Sequence, residues 1–213
     1  MTTQPVIKDI KKAIKELEKE MIERILEYLR NGTFPNNISN SFMNAYTIVQ
    51  GMADLGDKES EALFNYHNKI IQRYIEDCNN LIKKESKAQL IDSFIKQTEN
   101  INFLIYWMNR IFTYLDRFYT KVKTKHSLSQ NAMTLYRQHF FDPIQSDIYT
   151  EVNKLIKEDR NGNIESRPKI KKILKILFDI DLGSPKIVRE KFKISWVSEN
   201  KADMKSETAY QDK

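Results

Sequence analysis

Cysteine, glycine and proline are all scarce in this chain of 213 residues. Cys78 is the one cysteine, so no disulfide can form within the chain, and we expect a reducing compartment. Glycine and proline occur five times each. Because all-β sandwiches need many tight turns, and tight turns use these two residues, their scarcity argues against that fold class.

Long apolar runs are also missing. The most apolar stretch, 101–108, contains Asn102 and is far shorter than the roughly 20 residues that a membrane-spanning helix needs. Residues 1–12 hold Pro5 and several charges but no apolar core of a secretory signal. We therefore expect no membrane segment and no secretion, and a cytoplasmic or nuclear location, or both.

No residue pattern points to catalysis or to metal binding. The three histidines, His67, His126 and His139, are far apart, and none has a histidine or cysteine four residues away. The five glycines are scattered singly, so no phosphate-binding loop is present. Cys78 has no neighbouring histidine in the sequence and is expected to be a buried structural thiol. We predict no catalytic residue, no metal site and no cofactor, and therefore a protein that is not an enzyme.

Apolar residues recur at helical spacing through most of the chain. In the first segment, steps of three and four residues place seven apolar side chains on one helical face. They are Ile7, Ile10, Ile14, Leu17, Met21, Ile25 and Leu29. The same reasoning predicts about nine helices and no strand. The predicted helices are 7–29, 39–55, 60–84, 87–97, 99–122, 129–141, 144–158, 169–178 and 187–198.

The ends of these helices follow from local signals. Asn31 and Gly32 are expected to end the first helix, and Ser39 or Ser41 to cap the start of the second. The polar stretch 121–127 predicts a seam between five helices on one side and four on the other.

The predicted helix at 39–55 carries more apolar surface than packing in a bundle requires. One face holds four apolar residues that suffice to dock the helix: Ala45, Ile48, Val49 and Met52. Phe42, Met43 and Tyr46 lie on a different side. Large apolar side chains on an outward face indicate partner binding. The alternative is a helix that is buried on all sides.

The predicted helix at 99–122 shows the same excess. Four apolar residues, or those of a neighbouring register, are expected to face the core: Trp107, Ile111, Leu115 and Phe118. A second line then holds Arg110, Tyr114 and Arg117 at i, i+4 and i+7. Arginine and tyrosine anchor many interfaces because they combine a large contact area with directed hydrogen bonds.

A basic stretch at 169–175 offers another interpretation. The chain has a net charge of +6, and the lysines of this stretch are interleaved with apolar residues. Such a helix could contact nucleic acid or an anionic membrane. The interpretation that we favour is an ordinary amphipathic helix with its lysines in solvent. Its inward residues would be Ile170, Ile173, Leu174 and Leu177.

Five segments of the chain resemble segments of the cullin family, in the family's order and at about its spacing. Residues 42–49 (FMNAYTIV) resemble the second cullin helix, above all in the class that binds BTB-domain adaptors. Residues 109–121 (NRIFTYLDRFYTK) resemble the fifth cullin helix. The other three segments are Tyr136-Arg137, 155–164 (LIKEDRNGNI) and Lys191-Phe192 with Trp196. Phe42, Lys193 and Trp196 stand where the family usually has Tyr, Glu and Phe.

The resemblance implies an all-α fold of cullin repeats, which are five-helix bundles stacked as a stalk. It implies a first repeat over 1–122 that binds an adaptor, and a second repeat over 123–213 that is incomplete at its C-terminal end. The chain would be part of a non-catalytic scaffold of a cullin-RING ubiquitin ligase. The adaptor face implied by the second and fifth helices consists of Phe42, Met43, Tyr46, Gln50, Arg110, Thr113, Tyr114 and Arg117.

The implied partner is a BTB-type adaptor, or an adaptor of similar fold, which brings a substrate receptor. Phe42 and Tyr46 would fill apolar pockets of the adaptor, and Arg110 and Arg117 would pair with carboxylates at the rim. A RING protein would bind only through a C-terminal domain, and nothing in this chain corresponds to one. Two other functions stay open: a different helical-repeat interaction or tethering module, and a basic bundle that binds nucleic acid through 169–175.

Overall fold

The computed structural model describes residues 9–32, 38–124 and 126–180, and helices and helical turns account for nearly all of them. No strand occurs in these ranges, so the predicted all-α class is confirmed. The helices are α1 Ile10–Leu17, α2 Glu23–Asn31, α3 Ile38–Ala53, α4 Asp57–Ile82, α5 Leu90–Ile111, α6 Thr113–Leu115, α7 Lys121–Thr124, α8 Leu128–Tyr136, α9 Gln145–Arg160 and α10 Arg167–Ile180. The helical turns between them are π turns at Glu18–Ile22, Asp116–Thr120 and Arg137–Phe141, and 3-10 turns at Asp142–Ile144 and Ile164–Ser166. Within the described ranges, no helix combines the length and the apolar content that crossing a bilayer requires.

α1 and α2 form one helical segment with a π turn in its middle. Asp9 caps the start, because its Oδ1 accepts a hydrogen bond of 2.8 Å from the backbone N–H of Lys11. Gly32 ends the segment in the left-handed conformation, with φ of 72°, which glycine adopts without strain. The predicted stop at Asn31 and Gly32 is therefore confirmed.

α3 begins at Ile38, ahead of both serines that were expected to cap it. Ser41 is buried one turn before Ala45, so it continues the buried stripe of the helix instead of ending it. The predicted cap is wrong for this reason. α3 packs against α1, α4, α5 and α6 and leaves one side exposed.

The two helices predicted at 87–97 and 99–122 share one continuous helix, α5, from Leu90 to Ile111. No break occurs near Thr98, since the segment holds neither glycine nor proline, and the buried Thr98 places its hydroxyl 2.9 Å from the hydroxyl of Tyr136. The chain leaves regular helical geometry only at the buried Phe112, which has φ of −93° and ψ of 16°. α6 begins directly after it.

The core-facing register of α5 and α6 differs from the predicted one. Its fully buried residues include Leu104 and Met108 together with Ile111 and Leu115, of which the last two were predicted. Trp107 lies at the edge of this stripe and is only half-buried. Beyond Leu115 the π turn carries the stripe five residues on, to the buried Thr120, so Phe118 faces solvent. The expectation that Trp107 and Phe118 face the core is wrong, and for Phe118 the π turn is the cause.

The chain divides into two compact units, Met1–Gln145 and Ser146–Lys213. The helical pattern does break where the seam was expected, and Ser127 starts α8 with a capping box that it shares with Gln130. α8 nevertheless packs against α4 and α5, so the first unit continues past this break. The predicted boundary between repeats at 122 and 123 stays a prediction.

Within the second unit, the described helices are amphipathic. α10 buries Ile170, Ile173, Leu174 and Leu177, which is the predicted inward set. Its residues Lys171, Lys172 and Lys175 are exposed. Asp159 Oδ1 accepts a hydrogen bond of 2.6 Å from Nε of Arg167, which ties the end of α9 to the start of α10. The helix predicted at 187–198, with Lys191, Phe192, Lys193 and Trp196, lies outside the described residues.

Candidate functional site

α3 differs from the rest of the chain because none of its 16 residues is charged, whereas charged residues make up 30% of the whole sequence. Its inward side is buried through Ser41, Ala45, Val49 and Met52. Met43 and Thr47 lie on the other side in solvent, and Met43 is 56% exposed. A helix side that is both exposed and free of charge is typical of the centre of a protein interface.

A second line of exposed side chains runs along α5, then along the π turn that follows α6, and ends on α7. Tyr106 is 52% exposed, Phe118 64% and Val122 69%. These residues extend the predicted line of Arg110, Tyr114 and Arg117 by about one turn at each end. Sequence reasoning missed Tyr106 and Val122, although each lies four residues from a residue on the same line. The line and the exposed side of α3 together are called the outer surface below.

Arg110 is held in the middle of the outer surface by three aromatic rings. Its guanidinium carbon lies 5.4 Å from the ring centres of Phe42 and Tyr106 and 5.8 Å from that of Trp107. Its Nη1 also donates a hydrogen bond of 2.6 Å to the Tyr106 hydroxyl. A cation–π contact at an exposed site contributes about 0.5–1 kcal/mol. These contacts within the chain therefore hold the Arg110 side chain in place before any partner protein binds.

Phe42 and Tyr46 belong to the same ordered cluster. The ring of Phe42 lies 6.4 Å from that of Tyr46 and meets the ring of Trp107 edge-on at 6.3 Å. Both side chains are half-buried. The expectation that they lie wholly outward is wrong, because neighbouring rings cover part of Phe42 and Tyr46.

Tyr114 joins the other end of α3 to α6. Its hydroxyl donates a hydrogen bond to Oδ1 of Asp54, which directly follows α3. This carboxylate raises the pKa of the Tyr114 hydroxyl. The ring of Tyr114 also lies 4.6 Å from the ring of Phe118. The exposed Phe118 is therefore continuous with the contacts that hold α3 against α6.

The carboxylates beside the outer surface are already engaged within the chain. Asp54 accepts its hydrogen bond from Tyr114, and Oδ2 of Asp57 lies 2.6 Å from Nζ of Lys123. Arg117, in contrast, is exposed and has no carboxylate partner in the part of the chain that the structure describes. The outer surface therefore has an uncharged helix side along α3, with the Asp54 carboxylate at its end and the exposed Arg117 on the neighbouring line.

The eight predicted site residues lie on neighbouring elements. Phe42, Met43, Tyr46 and Gln50 are on α3, and Arg110, Thr113, Tyr114 and Arg117 follow along α5, α6 and the next turn. Thr113 has the least to offer a partner, since its hydroxyl lies 2.9 Å from each of the carbonyl oxygens of Asn109 and Arg110. Their adjacency is observed, and their binding of an adaptor stays a prediction.

Cys78 and His67, the side chains with the most reactive chemistry, are buried away from the outer surface. Burial raises the pKa of the Cys78 thiol to about 12, so the thiol stays protonated, and its predicted burial is confirmed. Burial likewise lowers the pKa of His67 to about 4, although Asn68 and Asn109 favour the charged form. Among residues 9–32, 38–124 and 126–180, no three His, Cys, Asp or Glu side chains are grouped as a metal site needs.

Comparison with known proteins matches nearly the whole chain to one family. The family model "Cullin alpha solenoid domain" matches residues 14–202. "Cullin-1" of Oryza sativa subsp. japonica is 24% identical over 173 residues, which are 79% of this chain and 23% of that protein. "Putative cullin-like protein 1" of Arabidopsis thaliana is 24% identical over 174 residues, which are 80% of this chain and 24% of that protein. "Cullin-2" of Arabidopsis thaliana is 26% identical over 128 residues, which are 60% of this chain and 17% of that protein.

The chain spans about a quarter of the length of the first two of these relatives. The family match includes every described helix except the first residues of α1, and so it includes the whole of the outer surface. The resemblance read from the five sequence segments is thereby confirmed. With the match extending over well more than half of its residues, the chain belongs to the cullin family.

Proposed function

We propose that this chain is the adaptor-binding part of a non-catalytic scaffold in a cullin-RING ubiquitin ligase. Its partner on the outer surface is an adaptor of BTB or similar fold, which in turn carries a substrate receptor. The chain makes and breaks no bond itself. Its contribution is to hold the adaptor at a fixed place on a stiff helical support, in the cytoplasm, the nucleus or both.

The absence of charge from α3 is the observation that carries this proposal. The 16 residues of α3 include no Asp, Glu, Lys or Arg, yet the side of the helix that holds Met43 and Thr47 is exposed. Solvated helix faces in this chain are otherwise rich in lysine and glutamate. Interfaces lose charge at their centres because an unpaired charge is costly to remove from water.

The distribution of exposed apolar side chains supports the same surface. In the described part of the first unit, six large apolar side chains are strongly exposed: Met43, Leu55, Leu81, Tyr106, Phe118 and Val122. Five of them lie at two stretches of the chain: Met43 and Leu55 in α3 or just after it, and Tyr106, Phe118 and Val122 between α5 and α7. Because α3 packs against α5 and α6, this exposed apolar surface is concentrated, which indicates a binding site more strongly than scattered exposed residues do.

The names of the relatives support the ligase context at the level of the family. Because the chain spans about a quarter of Cullin-1, contacts with a RING protein belong to this chain's complex only if a C-terminal domain lies outside residues 1–213. We expect the isolated chain to transfer no ubiquitin with a RING partner. Expressed alone in cells, it should compete for adaptors and inhibit the ligases that use them.

The proposal is tested by titrating the purified chain against a panel of purified BTB-domain proteins, with affinity measured by calorimetry. Replacing both Phe42 and Tyr46 by Ala should abolish binding, since truncating a central interface aromatic commonly costs about 2–4 kcal/mol. Because both rings are half-buried, the same change should also lower the free energy of unfolding by about 1–2 kcal/mol. The titration is therefore run well below the melting temperature of the variant.

Leu81→Ala is the matched control, because Leu81 is 52% exposed but lies near the end of α4. It should bind as tightly as the wild type. Equal losses of affinity in the control and in the double variant would remove the support for adaptor binding at the outer surface. If the wild-type chain binds no adaptor and instead binds duplex nucleic acid with an affinity that falls steeply with salt, the basic-bundle function is correct.

A further inference from the structure

Gly51 occupies an exposed position in the last turn of α3, two residues before the helix ends. Glycine weakens a helix relative to alanine, because it loses more conformational freedom on folding and buries nothing. A Cβ atom added at Gly51 would meet no heavy atom within 4 Å among the described residues. Nothing in the described fold therefore requires glycine at this position.

The position of Gly51 on the helix gives the second observation. Met43, Thr47 and Gly51 follow one another at i, i+4 and i+8, so they form the crest of the uncharged exposed side of α3. Leu55, 44% exposed, lies four residues further, just beyond the helix. The crest is thus lowest at Gly51, with the larger side chains of Thr47 and Leu55 one turn away on either side. The distance at which two helices pack depends on the side chains where they cross, and it is shortest over glycine.

The charges beside the crest restrict the partner further. Of the two carboxylates beside the crest, Asp57 is paired with Lys123, whereas Asp54 accepts a hydrogen bond from the neutral Tyr114 hydroxyl and keeps its negative charge. Arg117 is exposed without a carboxylate partner in the described ranges. A complementary surface is uncharged where it meets the crest and negatively charged where it meets Arg117.

We propose that an α-helix of the adaptor crosses α3 at Gly51 with close approach of the two backbones. The contact face of that helix is uncharged, and a carboxylate next to it pairs with Arg117. This inference rests on the proposed adaptor function and adds the place and the chemistry of the closest contact. Gly51 is a positioning residue, because its missing side chain sets how near the adaptor comes.

The test is the substitution Gly51→Ala, measured for both stability and affinity against the tightest-binding member of the BTB-domain panel. The melting temperature should rise by about 1–4 °C, because alanine favours the helix and the added methyl group meets open space. Affinity for the BTB domain should fall about tenfold or more, because the same methyl group overfills a close contact. A gain in stability combined with a loss of binding is not expected of a residue that only supports the fold.

Asn65→Ala is the matched control, since Asn65 is an exposed residue in the interior of α4 and alanine is again the better helix former. It should raise the melting temperature without a change in affinity. Arg117→Ala should weaken binding and reduce its dependence on salt, which checks the carboxylate opposite it.

Four results would overturn the inference. Wild-type affinity of Gly51→Ala, with binding still lost when Phe42 and Tyr46 are replaced, would leave the adaptor function intact and remove the crossing at Gly51. Wild-type affinity of both variants would place adaptor binding away from the outer surface, and absence of binding by the wild-type chain would remove the adaptor function itself. A lower melting temperature for Gly51→Ala would mean that part of this chain already packs against the crest, so that no adaptor helix crosses there.

Discussion

Two groups of aromatic side chains in the first unit are built from similar residues and differ in what covers them. In the inner group the rings of Phe94 and Phe140 stack at 5.7 Å with an angle of 9°, and Tyr136 lies 5.4 Å from Phe140. All three are buried. In the outer group, Phe42 and Trp107 are half-buried, and the Arg110 guanidinium lies against both rings.

The difference shows how one family of residues can serve folding in one place and binding in another. Every ring face of the inner group contacts other side chains, so its area contributes to the stability of the bundle. The outer group has enough contacts to fix its geometry but keeps apolar area available to a partner. Ordered aromatic side chains lose little entropy on binding, which favours affinity.

The largest effect is expected from the inner group. Phe94→Ala should lower the free energy of unfolding by about 3–5 kcal/mol, because it leaves a cavity between α5 and the turn that holds Phe140. Urea denaturation monitored by circular dichroism measures this change. A cost below about 1 kcal/mol would mean that the inner group is not a tightly packed core.

The buried His67, whose ring lies 5.2 Å from that of Phe112, should make stability depend on pH. Its pKa is lowered to about 4 in the folded chain, against about 6.5 when unfolded. Between these values the unfolded chain binds a proton that the folded chain excludes, so stability falls as the pH is lowered from 6.5 to 4. The loss attributable to His67 is on the order of 3 kcal/mol.

Comparison with His67→Gln separates this loss from the titration of carboxylates. The two chains are unfolded by urea at several pH values, and the difference between their free energies of unfolding is plotted against pH. The difference should be flat above pH 6.5 and should change in favour of the glutamine variant below it. A difference that does not change with pH would contradict burial of a neutral His67.

Trp107→Ala tests the boundary between the two groups. A wholly buried tryptophan would cost about 3–5 kcal/mol, but Trp107 is half-buried, so we expect about 2 kcal/mol. Adaptor affinity should fall as well, because Phe42 and Arg110 lose the ring that they both contact. Thermal denaturation and calorimetric titration measure the two changes. A stability loss as large as that of Phe94→Ala would place Trp107 in the core.

The smallest effect on stability is expected at Phe118, which is 64% exposed. Phe118→Ala should change the free energy of unfolding by less than about 0.5 kcal/mol, as is usual for surface positions. It should still weaken adaptor binding, because Phe118 extends the outer surface beyond Tyr114. A clearly destabilised variant would show that the contact of Phe118 with Tyr114 contributes to the stability of the fold.

Most of the fold could be predicted from the sequence, because helical periodicity and the ends of helices depend on residues that are only a few positions apart. The periodicity of Ala45, Val49 and Met52 is enough to orient α3, and Gly32 is enough to end α2. The contact of the Thr98 hydroxyl with Tyr136 joins residues that are 38 positions apart, so no local pattern predicts it. The outward position of Phe118 depends on the π turn at Asp116–Thr120, which apolar spacing alone does not reveal.

The candidate site was predicted in outline for the same reason. The excess of large side chains on α3 and the line of Arg110, Tyr114 and Arg117 are visible as helical spacings. The way that Arg110 lies across Phe42, Tyr106 and Trp107 is a tertiary arrangement and could not be read from spacing. Tyr106 and Val122 were missed because the predicted line stopped one turn short at each end.

Placing a single charge on α3 tests the central claim most directly. Met43→Glu puts a carboxylate on the exposed and uncharged side of the helix, and Leu81→Glu puts the same charge on a comparably exposed apolar position near the end of α4. If α3 is the centre of the adaptor interface, Met43→Glu should weaken binding of a purified BTB-domain protein about a hundredfold or more, because the charge must be buried without a partner. Leu81→Glu should bind like the wild type, and both variants should keep the wild-type melting temperature. Wild-type affinity of Met43→Glu would contradict the account.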